Sequence, residues 1–150
     1  MNYRQHLAVI AIVVLWTGLT FAQNASHPIS DELTVVIQKT ENARLHAYFS
    51  SSEIGEVAVL SVSEGGNACP AMFRIAYPDA SGKYVLTQEF GDCSDIPTII
   101  FEEKQVTLKF PGYAPLSAMS EPHFRPPPPT TYVFSKGRLR QLKSLRQRTK

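Results

Sequence analysis

The sequence lacks the short motifs that mark most enzyme classes. It contains no G-x-S-x-G, no H-E-x-x-H, no Walker loop and no C-x-x-C, so the common nucleophilic, zinc-dependent, nucleotide-binding and thiol-redox classes have no support. Histidine is scarce, and His27, His46 and His123 are not spaced as zinc ligands are. We therefore expect no catalytic residue, no metal and no cofactor. An enzyme whose site assembles without any sequence motif remains an alternative.

Long hydrophobic runs are also rare, because the chain has a single one, at residues 7–19. At about 13 residues it is shorter than the roughly 20 that a membrane-spanning helix needs. Arg4 precedes it, and residues 20–22 follow with small side chains at their first and third places, so residues 1–22 are predicted to be a signal peptide cleaved after Ala22. Cleavage after Ala25 and retention of the run as an anchor are the alternatives. No cysteine lies at the cleavage point to carry a lipid.

Cysteine is limited to Cys69 and Cys93. In an exported chain an even count predicts a disulfide, and with two cysteines the pairing is fixed. A reactive thiol at Cys69 is the alternative. Asp92 and Asp95 flank Cys93 and could hold a cation, but their spacing is more typical of a capped turn. Signal peptide and disulfide together predict a periplasmic or secreted protein.

A hairpin over residues 69–90 accounts for the position of the two cysteines. Residues 69–77 alternate with a period of two, which predicts a half-buried strand, and the Pro-Asp-Ala-Ser-Gly turn at 78–82 reverses the chain before a second strand. The expected register pairs Tyr77 with Lys83 and, further along, Ile75 with Val85 and Phe73 with Thr87. Cys69 then lies opposite Gly91, and a bulge there would bring Cys93 within bonding distance, clamping the hairpin at its open end.

Other segments read as strands separated by tight turns. The residues from 29 to 49 fit a helical face or two strands equally well, and we favour strands because β-branched residues crowd 34–37. The fold class is therefore all-β: an antiparallel meander of six to eight strands that forms a small sandwich or a partly open barrel with one disulfide. The domain is expected to span residues 23–142. The remaining predicted strands are 57–62, 98–101, 105–110, 130–134 and 138–142.

Charge is distributed unevenly along the chain. Residues 23–135 carry seven basic and thirteen acidic side chains, a net charge of −6, whereas residues 136–150 carry seven basic and no acidic ones, a net charge of +7. Residues 143–150 are predicted to be a basic tail that can attract anionic lipids or the acidic body of another copy. Nucleic acid is not an expected partner of an exported chain, and a merely solubilising tail is an alternative. The cations of this tail are Lys143, Arg146, Arg148 and Lys150.

The segment 111–131 is the candidate for partner binding. It is long for a loop in a compact domain, and such loops are often functional. Four consecutive prolines, 126–129, favour a stiff polyproline II conformation. A rigid connector that returns the chain across the sheet is the alternative. The side chains expected to contact a partner are Tyr113, His123, Phe124 and Arg125.

Two further segments suggest a family. The Gly65-Gly66-Asn67-Ala68-Cys69-Pro70 run and the Glu89-Phe90-Gly91-Asp92-Cys93 run, with the strands beside them and the ending over 132–139, resemble small exported proteins of unknown function in Gram-negative bacteria. The resemblance covers about residues 57–142 and implies a fold without an assigned activity. We expect a periplasmic protein-interaction module, and the specific hypothesis is an inhibitor or immunity factor against an envelope-directed enzyme. The alternative is an envelope accessory protein held by its basic tail. The oligomeric state is left open.

Overall fold

The structure is a computed structural model that describes residues 28–63, 69–120, 123–125 and 127–142. Two four-stranded antiparallel sheets pack face to face, and each is a meander in which neighbouring strands follow one another in the chain. The predicted all-β meander is confirmed as a sandwich; in the described residues the sheets do not close into a barrel. The first sheet comprises β1 (Ala43–Ser51), β2 (Gly55–Val62), β3 (Met72–Pro78) and β4 (Tyr84–Leu86), and the second comprises β5 (Thr98–Glu102), β6 (Gln105–Phe110), β7 (Thr130–Ser135) and β8 (Arg138–Leu142).

A helix, α1 (Asp31–Lys39), covers the outer face of the first sheet. The prediction of strands over 34–37 is therefore wrong. The helix forms because Ser30 caps its first turn by accepting the Leu33 N–H, while acidic residues begin it and Lys39 ends it, as the helix dipole favours. Burial of Leu33 against the sheet outweighs the β preference of the branched side chains. The strand predicted for the second half of that segment is confirmed as part of β1.

The core has two parts because β2 is buried on both of its faces. Val57 and Val59 point into the core between the sheets, whereas Ala58 and Leu60 point toward α1. Aromatic side chains fill the space between the sheets, and the ring centroids of Phe73 and Phe110 lie 5.2 Å apart at 63°. The sandwich thus has three layers: helix, first sheet and second sheet.

The disulfide is present between Cys69 and Cys93, with their Cα atoms 4.7 Å apart. The hairpin register that led to it is wrong, since Tyr77 pairs with Val85 and not with Lys83. The cause is a longer turn, in which the Asp79 carboxylate accepts the Ser81 and Lys83 N–H groups. The Phe73–Phe90 bridge is offset by one residue from this register, so the two cysteines meet beyond an irregular stretch of the pair and not by continuation of the β3–β4 ladder.

The second strand of that hairpin is also shorter than expected. It was predicted over 83–90, but β4 ends at Leu86, and beyond it only Phe90 forms a bridge, with Phe73. The hydroxyl of Thr87 accepts the Ile75 N–H in place of a backbone carbonyl, which interrupts the ladder. Phe73 therefore faces Phe90 and not Thr87. The core-facing side is as predicted, with Ala71 just before β3 and Phe73 and Ile75 within it, but Ala76 on the opposite side is also buried, in the cluster with Leu33 of α1, so the strand is not simply half-buried.

Candidate functional site

The antiparallel register sorts the connections to two ends of the sandwich. At one end the short turns lie together: the Ser51 hydroxyl donates to the Glu103 carbonyl oxygen, and the Ser135 hydroxyl to that of Lys104. At the other end lie the disulfide and the long loop, residues 111–129, which joins β6 to β7. We call this second end the disulfide end. Because Phe110 pairs with Thr130, the long loop leaves and re-enters the sheet at neighbouring positions.

The base of the long loop is fastened to the disulfide turn. One carboxylate oxygen of Asp92 accepts the Gly112 N–H at 2.9 Å, and the other accepts the Ser94 N–H at 3.0 Å. Asp92 precedes Cys93, so one side chain joins the cross-linked turn to the loop. The capped turn that the sequence predicted at this point is confirmed, and its second bond, to Gly112, was not foreseen.

Gly112 is required at this point by the close approach of the two limbs of the loop. Its φ is +91°, and a Cβ there would lie 2.2 Å from the carbonyl oxygen of Pro127. Any larger residue would have to displace backbone, so the contact closes the long loop just above the sheet. The Tyr132 hydroxyl adds a bond to the Gly91 carbonyl oxygen at 3.4 Å. The disulfide turn, both limbs of the loop and β7 are thus linked at the disulfide end.

The four predicted contact residues all lie on this loop. His123 and Arg125 are exposed, and Tyr113 and Phe124 are half-buried. The sequence did not reveal α2 (Leu116–Met119), a single helical turn in the middle of the loop, nor Met119, which is 57% exposed. The Ser120 hydroxyl donates to the Ser117 carbonyl oxygen and ends that turn. No helix or strand is formed at 127–129.

The basic tail lies outside the described residues, but its starting point is defined. β8 ends at Leu142, which pairs with Thr131, two residues after the last proline. The chain therefore enters residues 143–150 at the disulfide end, beside the long loop. The predicted signal peptide, residues 1–22, also lies outside the described residues. No helix of the described part is long and apolar enough to cross a membrane.

A polar cluster that the sequence did not reveal lies under α1. The Tyr48 hydroxyl donates to one carboxylate oxygen of Glu56 at 2.8 Å, and the Tyr84 hydroxyl donates to the other at 2.5 Å. The Ser30 hydroxyl donates in turn to the Tyr84 oxygen at 3.3 Å. Because Ser30 is also the cap of α1, the cluster ties the start of the helix to three strands of the first sheet.

The cluster shifts the pKa values of its members in opposite directions. Burial alone would raise the pKa of Glu56, but the polar groups of the neighbouring Ser30 and the hydrogen bonds from Tyr84 and Tyr48 outweigh it and hold that pKa below its ordinary value. Burial, followed by the bond to the Glu56 carboxylate, raises the pKa of Tyr48 to about 12. The same causes raise the pKa of Tyr84. The carboxylate is thus held ionised and the phenols protonated, which suits a structural lock and does not suit proton transfer near neutral pH.

A cleft of about 460 Å³ opens at the far end of α1. Arg74 and Glu89 form an ion pair in its wall, with nitrogen and oxygen 2.6 Å apart and both side chains about one third exposed. Lys39 and Glu41 add one charge of each sign, so the cleft is nearly neutral. Its balanced charges favour no particular ligand. The apolar side chains that line it are Val36, Val62 and Leu86.

The two histidines of the described residues, His46 and His123, are not assembled with other reactive groups. His46 is exposed and lies edge-on to Phe73, with ring centroids 5.3 Å apart, and His123 lies on the long loop. In the described ranges no group of three or more His, Cys, Asp or Glu side chains could hold a metal ion. Both cysteines are consumed by the disulfide, so the alternative of a reactive thiol at Cys69 is not supported.

Comparison with protein-family models, with curated proteins and with solved structures gives no match for this chain.

Proposed function

We propose that this chain is an exported protein-interaction module that recognises a protein partner with the long loop at its disulfide end. The observation that carries the proposal is the fastening of the loop base, where Asp92 joins Gly112 to the disulfide turn and Gly112 meets Pro127. A loop held on a rigid scaffold loses less conformational entropy on binding than a free one, which favours affinity. Disulfide-fastened loops of this kind suit an inhibitor or an immunity factor acting on an envelope enzyme.

The exposed and half-buried groups of the loop fit recognition of a protein surface. Met119 offers an adaptable apolar contact, Phe124 an aromatic one, and Arg125 a planar cation. Aromatic and arginine side chains dominate the energetics of protein interfaces. The stiff proline run beside them limits the conformations that the loop has to give up.

Export is part of the proposal. The disulfide is compatible with an oxidising compartment, and we propose that residues 1–22 direct the chain to the periplasm and are then removed. Mass spectrometry of the protein from the envelope should give a chain that begins at Gln23. A product that retains residues 1–22 would instead favour an anchored protein.

The binding test compares loop and control variants by capture from a periplasmic extract, followed by a titration with the captured protein. Replacing Tyr113 and Phe124 by Ala should weaken binding of that protein at least tenfold at every salt concentration, since apolar contacts are not screened. Val35→Ala, on the exposed side of α1, is the matched control and should change nothing. Equal binding by all three proteins would exclude the long loop as the recognition surface.

The second candidate is an envelope accessory protein held by its basic tail. The observation that favours it is the course of β8, which carries exposed Arg138 and Arg140 and leads directly into residues 143–150. Deleting 143–150 should then leave the domain folded and lower its association with anionic vesicles, most strongly at low salt, because added salt screens the charges of the tail. Unchanged association at low salt would reduce the tail to a solubilising segment.

A further inference from the structure

The second sheet presents a face whose chemistry is unlike that of the rest of the molecule. Alternate side chains of β5–β8 point away from the core, because their neighbours Leu108, Phe134 and Leu139 point into it. On the outward side the exposed groups include Ile100, Lys109, Arg138, Arg140 and Leu142. We call this the outer face. The helix that covers the first sheet packs against β1, β3 and β4, on the opposite side of the molecule.

The outer face is cationic, whereas the helix side is acidic. Lys109, Arg138 and Arg140 are exposed, and none of the three forms an ion pair with a carboxylate in the described part of the chain. The carboxylate on the same face, Glu102, accepts a hydrogen bond from Gln105. In contrast, the described residues up to 90, which form α1 and the first sheet, carry seven acidic and four basic side chains. The described residues after 90, which include the second sheet, carry four acidic and six basic side chains.

The register sets these groups in rows across the sheet. Val133 pairs with Arg140 and Thr131 with Leu142, and Thr131 pairs on its other side with Lys109. Neighbouring strands lie about 4.8 Å apart, so the row from Lys109 to Leu142 spans roughly 10 Å. The result is a broad surface of separated cations with hydroxyl groups between them, and apolar tips at Ile100 and Leu142, which are 37% and 52% exposed.

We infer that the outer face docks on the surface of an anionic lipid bilayer. Cations spread over a broad face match a layer of anionic headgroups, and the two exposed aliphatic side chains can enter the headgroup region. The chain supports this occupant, because β8 continues into residues 143–150, which add four cations and no acid. The acidic helix side then points away from the membrane. This inference goes beyond the proposed protein binding and does not rest on it.

The test is co-sedimentation with vesicles of phosphatidylglycerol and phosphatidylcholine, against vesicles of phosphatidylcholine alone. The protein used in this test begins at Gln23. It contains every described element but not the apolar run at 7–19, which would itself enter a bilayer. Binding is expected only to the anionic vesicles. The double variant Arg138→Gln/Arg140→Gln, with the tail intact, should lower binding about thirty-fold, which corresponds to about 1 kcal/mol for each cation removed.

Two controls make the result specific to the outer face. Lys39→Gln/Lys83→Gln removes the same net charge from the helix side and should change binding by less than about twofold, while Arg138→Lys/Arg140→Lys should retain it. If circular dichroism shows that the Gln variants are unfolded, the vesicle binding of two other variants tests the inference. Lys109→Gln should then lower binding, and Arg138→Lys/Arg140→Lys should retain it. Three results would overturn the inference. The first is an equal loss of vesicle binding from both Gln pairs, and the second is a loss only on deletion of 143–150. The third is no vesicle binding, with self-association or binding of a soluble acidic polymer in its place. The variant lacking the Tyr113 and Phe124 side chains should bind vesicles normally, so failure of the proposed protein binding is distinguishable.

Discussion

The two sheets have the same construction but different surroundings. Each has four antiparallel strands in chain order, yet the first is covered on both faces and the second on one. Consequently Val57, Ala58, Val59 and Leu60 are all fully buried in β2, whereas β6 alternates, with Val106 and Leu108 buried and Lys109 exposed. Burial on both sides or one side therefore determines whether a strand is continuously or alternately apolar.

The comparison also separates the parts of the molecule that stabilise the fold from the surfaces proposed to make contacts. The helix side is acidic and closed by the cluster around Glu56, and the second sheet keeps an open cationic face. The disulfide end joins the two sheets and carries the long loop. Stability therefore depends mainly on the shared core and the helix side, and the proposed contacts lie on the other parts of the surface.

Removing the helix contact should have the largest effect on stability. Leu33→Ala deletes a fully buried side chain between α1 and the first sheet and should lower the free energy of unfolding by about 2–5 kcal/mol. Val35→Ala, 43% exposed on the same helix, is the control and should cost less than about 1 kcal/mol. Urea denaturation measures both. Similar losses would mean that the helix does not cover the sheet, and the first sheet would then resemble the second.

The continuous apolar stretch of β2 is the part of the sequence that indicates a second layer covering the first sheet. It was correctly predicted as a strand, but a strand facing a sheet on one side only would alternate. The helix that supplies the cover was mistaken for strands because Val35, Val36 and Ile37 favour β structure locally. Its end signals, the Ser30 cap and Lys39, were present in the sequence, but tertiary burial of Leu33 decides the outcome.

Loss of the disulfide should come next in size. Cys69→Ser/Cys93→Ser frees a loop of 24 residues and should lower the free energy of unfolding by about 3 kcal/mol. Reductant should lower the free energy of unfolding of the wild type by the same amount. It should cause no further loss in the double Ser variant. A variant as stable as the oxidised wild type would show that the disulfide end is held by other contacts alone.

The cluster at Glu56 should make the helix side sensitive to pH. The pKa of Glu56 lies below its ordinary value in the folded state. The contribution of Glu56 to stability is therefore full above its pKa in the unfolded chain, and it is lost as pH falls through its pKa in the folded protein. Glu56→Gln should cost about 1 kcal/mol at pH 7, and the difference from wild type should vanish on acidification. Urea denaturation at pH 7 and in steps below pH 4 measures this. A difference that grows on acidification would contradict the ionised carboxylate.

The tyrosines of the same cluster give the opposite limit. Because the pKa of Tyr48 is raised to about 12 in the folded state, its contribution is full below the ordinary tyrosine pKa and is lost as pH rises through about 12. Tyr48→Phe should therefore differ from wild type at pH 8 and converge with it in strong alkali. No comparable dependence is expected for a substitution on the outer face, such as Thr98→Ala.

The smallest effect is expected from the histidines. Replacing His46 and His123 together by Gln should leave the fold intact and preserve the biological effect, with at most a modest loss of partner affinity through His123 on the long loop, because neither histidine is paired with a reactive group in the described residues. Circular dichroism and the partner titration measure this. Loss of the biological effect with folding preserved would instead support the enzyme alternative.

The candidate loop could be located from sequence, but its support could not. Four prolines and an unusual length singled out residues 111–131, whereas the bond from Gly112 to Asp92 joins residues 20 positions apart. The cluster around Glu56 is hidden for the same reason, since Tyr84 lies 28 positions from the carboxylate that it contacts. Local patterns reveal turns and strands, and contacts between distant loops depend on the final packing.

The fastening of the long loop to the disulfide turn is tested most directly by amide hydrogen exchange at Gly112. In the wild type this amide should exchange slowly, as should that of Ser94, because both donate to Asp92. Asp92→Ala should speed exchange at both by about tenfold or more, while the Ser81 amide, which donates to Asp79 at the other end, should not change. If Gly112 already exchanges in the wild type as fast as in an unstructured peptide, the loop is not fastened and the account of the disulfide end is wrong.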